Sequence, residues 1–497
     1  MKTHTHYDTP RHRVGHPDPL AGLRSRFSNE QLSLLGACLA WPFAIFCVLN
    51  KVFIQPNNSS PVDDFSTVWH ALQRFQVGAP VYNEELWMTD PHYLYSPGGT
   101  LLLSPITLIS DFDTCRILFI VFNGFAMVLA AGLLTALFNF RLTGMVWPLS
   151  VIFLCSTESA YNTLRFTNIN GVLLFNLALF LFLLLRYRHK ALECAAGVAL
   201  GLAITIKPQF APLLFIPFAR RQFLAVASGI AVPVVLNLAA IPLMVQPGDY
   251  VDKLMPYLGI VRDYANSSIA GIGVYYGIPH WQILIWRILA VASVLIAVVF
   301  LLRWRDRDPL MWASTTSSIL LMGVFLISSL GQMYYSMLIL PLLFTLFSRR
   351  SVMHNPIAWI GVYLCLSSDM WQSERWIKWG QVFEYTRGTI GWSLIILSAA
   401  VATVMWTLEE RSNGLNTLGD IHYFGLFGAR PLPTSQQPAV VQPHNLTQPR
   451  EKSTHSAGDA RSPHSTRVRR SSRLSQDKRN YEQPYGRHSI PSPNNQE

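Results

Sequence analysis

Between residues 31 and about 410 the chain is a succession of long apolar runs separated by short polar breaks. Read for length, the runs predict helices near 31–51, 115–138, 144–157, 169–186, 192–206, 209–219, 222–246, 281–302, 309–330, 334–348, 355–368 and 388–408. That is an all-α polytopic membrane protein with about 12 transmembrane helices. Several runs fall short of the roughly 20 residues a perpendicular crossing requires, so some helices start in a polar re-entrant mouth. A further apolar run, "GGTLLLSPITLIS" (98–110), is left out of the count. Its omission places Arg141, "RYRHK" (186–190), "ARRQ" (219–222), "RWRDR" (303–307) and "SRR" (348–350) on the cytoplasmic side together with both termini. The omitted run then lies on the outer surface as an interfacial helix, which its Gly-Gly start and Pro105 suit.

Composition agrees with this picture: 51% of the chain is hydrophobic and 13% charged, a ratio that excludes a soluble globular protein of 497 residues. Three parts follow. Residues 1–30 read as a disordered basic cytoplasmic leader rich in His and Arg, 31–410 as the membrane body, and 411–497 as a disordered basic cytoplasmic tail. Most of the net charge of +11 sits in that tail, in runs such as "RVRRSSR". After a final membrane helix, such a segment is drawn to anionic lipid headgroups, which makes membrane lipids the partner and gives no role to nucleic acid. The six cysteines are scattered through apolar stretches without metal-ligand spacing, and so read as small core residues.

With this orientation, loops 52–97, 158–168, 247–280, 331–333 and 369–387 all face outward and carry the chemically varied residues. Polar groups gathered at one face suggest one composite site, whereas a secondary transporter would place them at the midplane of two matching halves. Asp63 and Asp64 stand at the outer end of the first helix. A single carboxylate there suits a general base acting on a hydroxyl nucleophile. Adjacent residues point in different directions, so one of the two is catalytic and the other structural; capping the helix "FSTVWHALQRF" is the competing role for either.

The order of "GAPVYN", "YLYSPGGTLLLSP", "TNINGVLLFNLALFLFLLL" and "GLAITIKPQFAPLLFIPFARRQ" after this acidic pair resembles the polyprenol-phosphate-dependent glycosyltransferases of the GT-C superfamily. Within it, "VRDYANSSIAGIGVYYGIP" and "SSLGQMYYSMLILP" are most similar to the branching α-(1→3)-arabinofuranosyltransferases of mycobacteria and corynebacteria, which share a family with phosphatidylinositol-mannoside mannosyltransferases. The resemblance covers about residues 60–350. It implies a GT-C fold and an inverting transfer of arabinofuranose from a decaprenyl-phosphoryl-arabinofuranose donor to the 3-OH of an arabinan acceptor. The transfer would take place on the outer face of the plasma membrane and make branches in cell-wall arabinogalactan and lipoarabinomannan. A mannosyltransferase using a polyprenyl-phosphate donor is the alternative, and a lipid or solute carrier is a third reading.

Carried residue by residue, the family's base matches Asp64 before Phe65, with Asp63 in reserve. The aromatic-Pro-Pro stretch appears as Tyr95-Ser96-Pro97 with one proline missing, and the Gly-Gln-x-Asn stretch as Thr167-Asn168-Ile169-Asn170 with the Gln replaced. Lys207-Pro208 is intact. Where mannosyltransferases carry histidines late in the chain, this one reads Gln332-Met333-Tyr334-Tyr335, which argues against mannose and leaves the histidine's role unfilled. The donor phosphate needs cations as its bond to the anomeric carbon breaks, and Lys207 and Arg262 are the candidates; snorkelling and a pair with Asp263 are their ordinary roles. Asn168, Asn170, Asn266, Tyr95 and His92 are candidates for binding sugar or acceptor. Neither a cofactor nor a metal is called for, since adjacent aspartates without a spaced partner make a poor metal site.

Overall fold

The computed structural model describes residues 28–56, 63–86, 91–186, 189–369 and 371–413, and every regular element among them is helical. The leader and tail expected at 1–30 and 411–497 lie almost wholly outside the described residues, which open on the helix Asn29–Leu49 and close on the helix Ile377–Asn413.

All twelve expected apolar runs are helical, but they differ in length. Six are long and apolar enough to cross a membrane: Asn29–Ile54, Phe112–Leu137, Phe223–Leu243, His280–Trp304, Pro309–Ile327 and Ile377–Glu410. The others are Val146–Cys155, Asn170–Arg186, Lys190–Ile206, Pro208–Ala219, Met333–Phe347 and Pro356–Leu366. Proline explains part of the shortening. Pro208 opens a 3-10 segment that runs through Pro212 to Leu214, and the Met333–Phe347 stretch is 3-10 on both sides of a single α-turn that starts at Leu340-Pro341. Proline lacks the N–H that an α-helix would use at these positions. The run at 98–110 is likewise broken, into Pro97–Leu103 and the 3-10 turn Ser104–Leu108. At that length it is too short to cross, and Gly98 N–H donates to Asn237 Oδ1 (2.9 Å), tying it to the helix Phe223–Ala240.

Packing separates a core from a periphery. The helix Pro309–Ile327 is buried along most of its length, whereas Asn29–Ile54, Phe223–Leu243 and His280–Trp304 leave half or more of their apolar side chains exposed, as lipid-facing helices do. Lys190–Ile206 packs on Phe223–Ala240 through Gly197 and Gly201 against Gly229; a Cβ at Gly197 would run into the Ala225 backbone and the Ser228 side chain. Small residues at such a crossing let two backbones approach, the main source of helix adhesion where lipid offers no hydrophobic gain.

The basic loops share one end of this bundle. Arg305 Nη1 donates to the Ala219 carbonyl oxygen (2.9 Å), while Arg307 (3.2 Å) and Arg350 (2.6 Å) reach the Glu410 carboxylate.

Candidate active site

Asp63 and Asp64 have different surroundings. Asp63 is the N-cap of the helix Asp64–Gln76: its Oδ1 accepts from Ser66 N–H (2.9 Å) and its own N–H donates to Ser66 Oγ (3.1 Å). Its Oδ2 accepts from Arg116 Nε (2.7 Å), on the helix Phe112–Leu137, and from Thr167 Oγ1 (2.9 Å). Both oxygens are thus occupied in holding three segments together.

Asp64 is held but not used up. Its N–H donates to the Phe166 carbonyl oxygen (3.1 Å), and its Oδ2 accepts from Asn168 Nδ2 (2.6 Å) and Tyr334 Oη (3.2 Å). Oδ1 has no hydrogen-bond partner among the described residues. The Asn168 amide can face only one way. Its Oδ1 accepts the Asn170 N–H (3.2 Å), a group that only donates, so Nδ2 must point to Asp64. The loop that delivers Asn168 is strained: Thr167 has φ +51°, a left-handed conformation that a β-branched residue adopts at a cost. The hydrogen bond from Thr167 to Asp63 holds it there.

Lys207 follows the helix Lys190–Ile206 directly and is buried, with Nζ donating to Asn170 Oδ1 (2.7 Å) and lying 4.1 Å from the centre of the Tyr335 ring. An ammonium can only donate, which fixes Asn170 Oδ1 toward it and leaves Asn170 Nδ2, fully buried, with no partner among the described residues. Burial dominates the electrostatics of both charged groups. It raises the Asp64 carboxyl above its ordinary range, against the opposing pull of Asn168, Lys207 and Tyr334. It lowers Lys207 to about 7, with Asp64 opposing. The two side chains are close enough to feel each other's charge, yet they do not form a direct ion pair among the described residues.

The remaining candidates divide. Tyr95 borders the cluster, its hydroxyl pushed up by burial and then by Asp64 and Tyr335. Arg262 does not pair with Asp263; Nη2 donates to Tyr257 Oη (3.3 Å), and its charge acts on Tyr335. His92 stands farther out, beside Glu84 (3.7 Å) and edge-on to Tyr257. Asn266 is committed to backbone: Nδ2 donates to the carbonyls of Arg262 (3.0 Å) and Ser329 (2.7 Å), and Oδ1 accepts from Ser268 (3.1 Å) and Gly331 (2.9 Å). It clamps two loops and has no free group to offer a sugar. Arg116, Thr167, Gln332 and the two tyrosines Tyr334 and Tyr335 were not expected in the cluster. For the tyrosines a signal existed, since "GQMYY" occupies the place of the mannosyltransferase histidines. Among the described residues no three His, Cys, Asp or Glu side chains gather as metal ligands.

A half-buried carboxylate with one open oxygen, beside a buried lysine and an amide N–H that no described residue uses, can accept a proton and bind an anion within one small volume. The model of glycosyltransferase family 87 matches residues 93–329. The α-(1→3)-arabinofuranosyltransferase of Corynebacterium glutamicum is 45% identical over 387 residues, 78% of this chain and 90% of that protein. Those of Mycobacterium tuberculosis and Mycolicibacterium smegmatis are 42% and 38% identical, over 76% and 80% of this chain and 87% and 92% of theirs. No solved structure matches the chain. The chain belongs to glycosyltransferase family 87 and is a glycosyltransferase.

Proposed function

We propose that the protein is an inverting α-(1→3)-arabinofuranosyltransferase that uses a polyprenyl-phosphate arabinofuranose donor and an arabinan acceptor. The names of its relatives support the sugar and the linkage, and the open Oδ1 of Asp64 beside Lys207 and Asn170 carries the chemistry. The acceptor 3-hydroxyl gives its proton to Asp64 as its oxygen attacks the anomeric carbon. The bond from that carbon to the phosphate oxygen breaks on the opposite face, and the phosphate leaves with the electron pair. Lys207 and Arg262 meet the charge that grows there, and Asn170 Nδ2 supplies a hydrogen bond that no other described residue uses. Asn168 holds the base, and Tyr95 borders the sugar. One displacement inverts the anomeric centre.

The same reading makes the body a GT-C fold of about 12 spans, with the segment Pro97–Leu108 lying in the outer interface. The basic loops at the opposite end of the bundle support a cytoplasmic placement of that end and of both termini. In a background without native cysteines, single cysteines placed in 247–280 are expected to react with impermeant thiol reagents added to intact cells, and ones placed in 303–308 are not. The reverse pattern would put Asp64 on the wrong side for an outer-face enzyme.

The donor is tested with purified protein given an arabinan acceptor and either polyprenyl-phosphoryl arabinofuranose or polyprenyl-phosphoryl mannose. Turnover is expected with the arabinose lipid; turnover with the mannose lipid alone would replace this function by a mannosyltransferase. No turnover with either, together with passage of lipid or solute across vesicles, would favour a carrier.

A further inference from the structure

The side chains behind Asp64 pose a problem of proton counting. Tyr334 Oη lies 3.2 Å from Asp64 Oδ2 and also touches Gln332 Oε1, while Tyr335 Oη lies 3.0 Å from the same Gln332 oxygen. A tyrosine hydroxyl has one proton to give. With Gln332 Oε1 facing both rings, both tyrosine protons go to Gln332, and Tyr334 turns a lone pair toward Asp64. Asn168 Nδ2, 3.4 Å away, can donate to Tyr334 Oη, but a hydrogen bond between Tyr334 and Asp64 then needs a protonated Asp64 that donates. If the amide is turned by half a rotation, its two N–H groups point one to each tyrosine oxygen, and the Tyr334 proton is free to donate to an ionised Asp64. Oxygen and nitrogen of an amide are interchangeable in shape, so the two arrangements cost no repacking.

We propose that Gln332 is a positioning residue whose side-chain amide turns with the charge of Asp64, its nitrogen facing the tyrosines while Asp64 is the ionised base and its oxygen facing them once Asp64 has taken the acceptor's proton. The tyrosines themselves are fixed. Tyr335 is packed on Phe325, with ring centres 4.7 Å apart, and lies over Lys207; Tyr334 is buried beside it. The amide is therefore the part of the network that can reorganise as the proton arrives. In each arrangement the Tyr334 proton has an acceptor and one proton lies between Tyr334 and Asp64, and hydrogen bonds linked in this way reinforce one another. The position left without its expected histidine is thus filled by a hydroxyl and an amide that match both protonation states of the base. This rests on Asp64 being that base.

Other charges act on Asp64 as well: Lys207 and Asp63 directly, with Asp63 largely answered by Arg116. Tyr95 flanks the carboxylate, and the charge of Arg262 acts on Tyr335. The test must separate the amide from this background. Gln332→Glu keeps the shape but only accepts, so it holds both tyrosine protons and denies one to ionised Asp64. The acidic limb of the kcat against pH profile is expected to move to higher pH by about one unit or more in Gln332→Glu. In a Tyr334→Phe background the same change should move it by less than half as much, because the hydroxyl link is gone. Gln332→Met, which can neither give nor accept, should lower kcat with a smaller shift. An infrared titration of the Asp64 carboxyl, assigned by its loss in Asp64→Asn, reads the same displacement without turnover.

An acidic limb that stays in place in Gln332→Glu would overturn the proposal, as would an equal shift with and without the Tyr334 hydroxyl, which would mark a through-space charge effect. Those results, with Asp64→Asn inactive, leave the base assignment standing. Normal turnover in Asp64→Asn would remove the base assignment itself.

Discussion

Asp64→Asn is expected to lower sugar transfer by roughly 100- to 10,000-fold, the usual cost of removing a general base, while the protein still folds and enters the membrane. Asparagine keeps the volume of the side chain and can still accept from Asn168 and Tyr334 through its oxygen, so the local packing survives. What it lacks is the basicity to take the acceptor's proton. The neighbouring substitution should behave differently. Asp63→Asn retains a good helix cap but gives up the charge that answers Arg116, and Asp63→Ala loses both. Loss of the cap alone costs about 1 kcal/mol, and a half-buried guanidinium left without its partner adds to that. Asp63 variants should therefore show lower thermal stability in detergent and a smaller loss of rate per folded molecule. If Asp63→Asn is inactive and fully stable while Asp64→Asn turns over normally, the roles of the two residues are exchanged.

Replacing Lys207 should produce the second largest effect. Lys207→Met is expected to lower kcat/KM for the lipid donor by roughly 100- to 1,000-fold, the scale found when one group that stabilises developing negative charge is removed. The pH dependence carries a more specific signature. Burial lowers Lys207 to about 7, so in the free enzyme it is charged below that pH and increasingly neutral above it. Use of an anionic donor should accordingly fall as pH rises through about 7, because binding must then bring a proton with it. Asp64 acts in the opposite sense. As the proposed base it works only when ionised, so its raised carboxyl should make activity fall as pH drops. The two together give a bell-shaped profile whose limbs belong to the coupled pair. Lys207→Arg, which stays charged, should lose the alkaline limb even where its geometry lowers the rate. An alkaline limb unchanged in Lys207→Arg would assign that ionisation to another group.

Hydrophobic patterning foretold the helices well, because an apolar run in a membrane protein has few alternatives to being helical. It was weaker on their lengths, since Pro212 and Pro341 shorten or tighten segments whose hydropathy alone reads as continuous. The acidic pair at the end of the first helix could be found in the sequence, and so could Lys207-Pro208 and the Asn168/Asn170 stretch. The choice between Asp63 and Asp64 could not. It depends on Arg116 and Thr167 reaching one carboxylate and on Asn168 and Tyr334 reaching the other, contacts between residues far apart in the chain. No local pattern encodes such pairings. Asn266 is the converse case. It stands in a polar outer loop like a ligand-binding residue, and its amide is consumed by the backbone of Arg262, Ser268, Ser329 and Gly331.

The proposed reaction is a single displacement in which Asp64 activates the 3-hydroxyl of an arabinan. It is tested most directly by determining the linkage and anomeric configuration of the product that purified protein forms from a β-linked polyprenyl-phosphoryl arabinofuranose and a short arabinan, by nuclear magnetic resonance and methylation analysis. One new arabinofuranose, α-linked at O-3, is expected, and none from Asp64→Asn. A product that keeps the β configuration, or one linked at another hydroxyl, would contradict it.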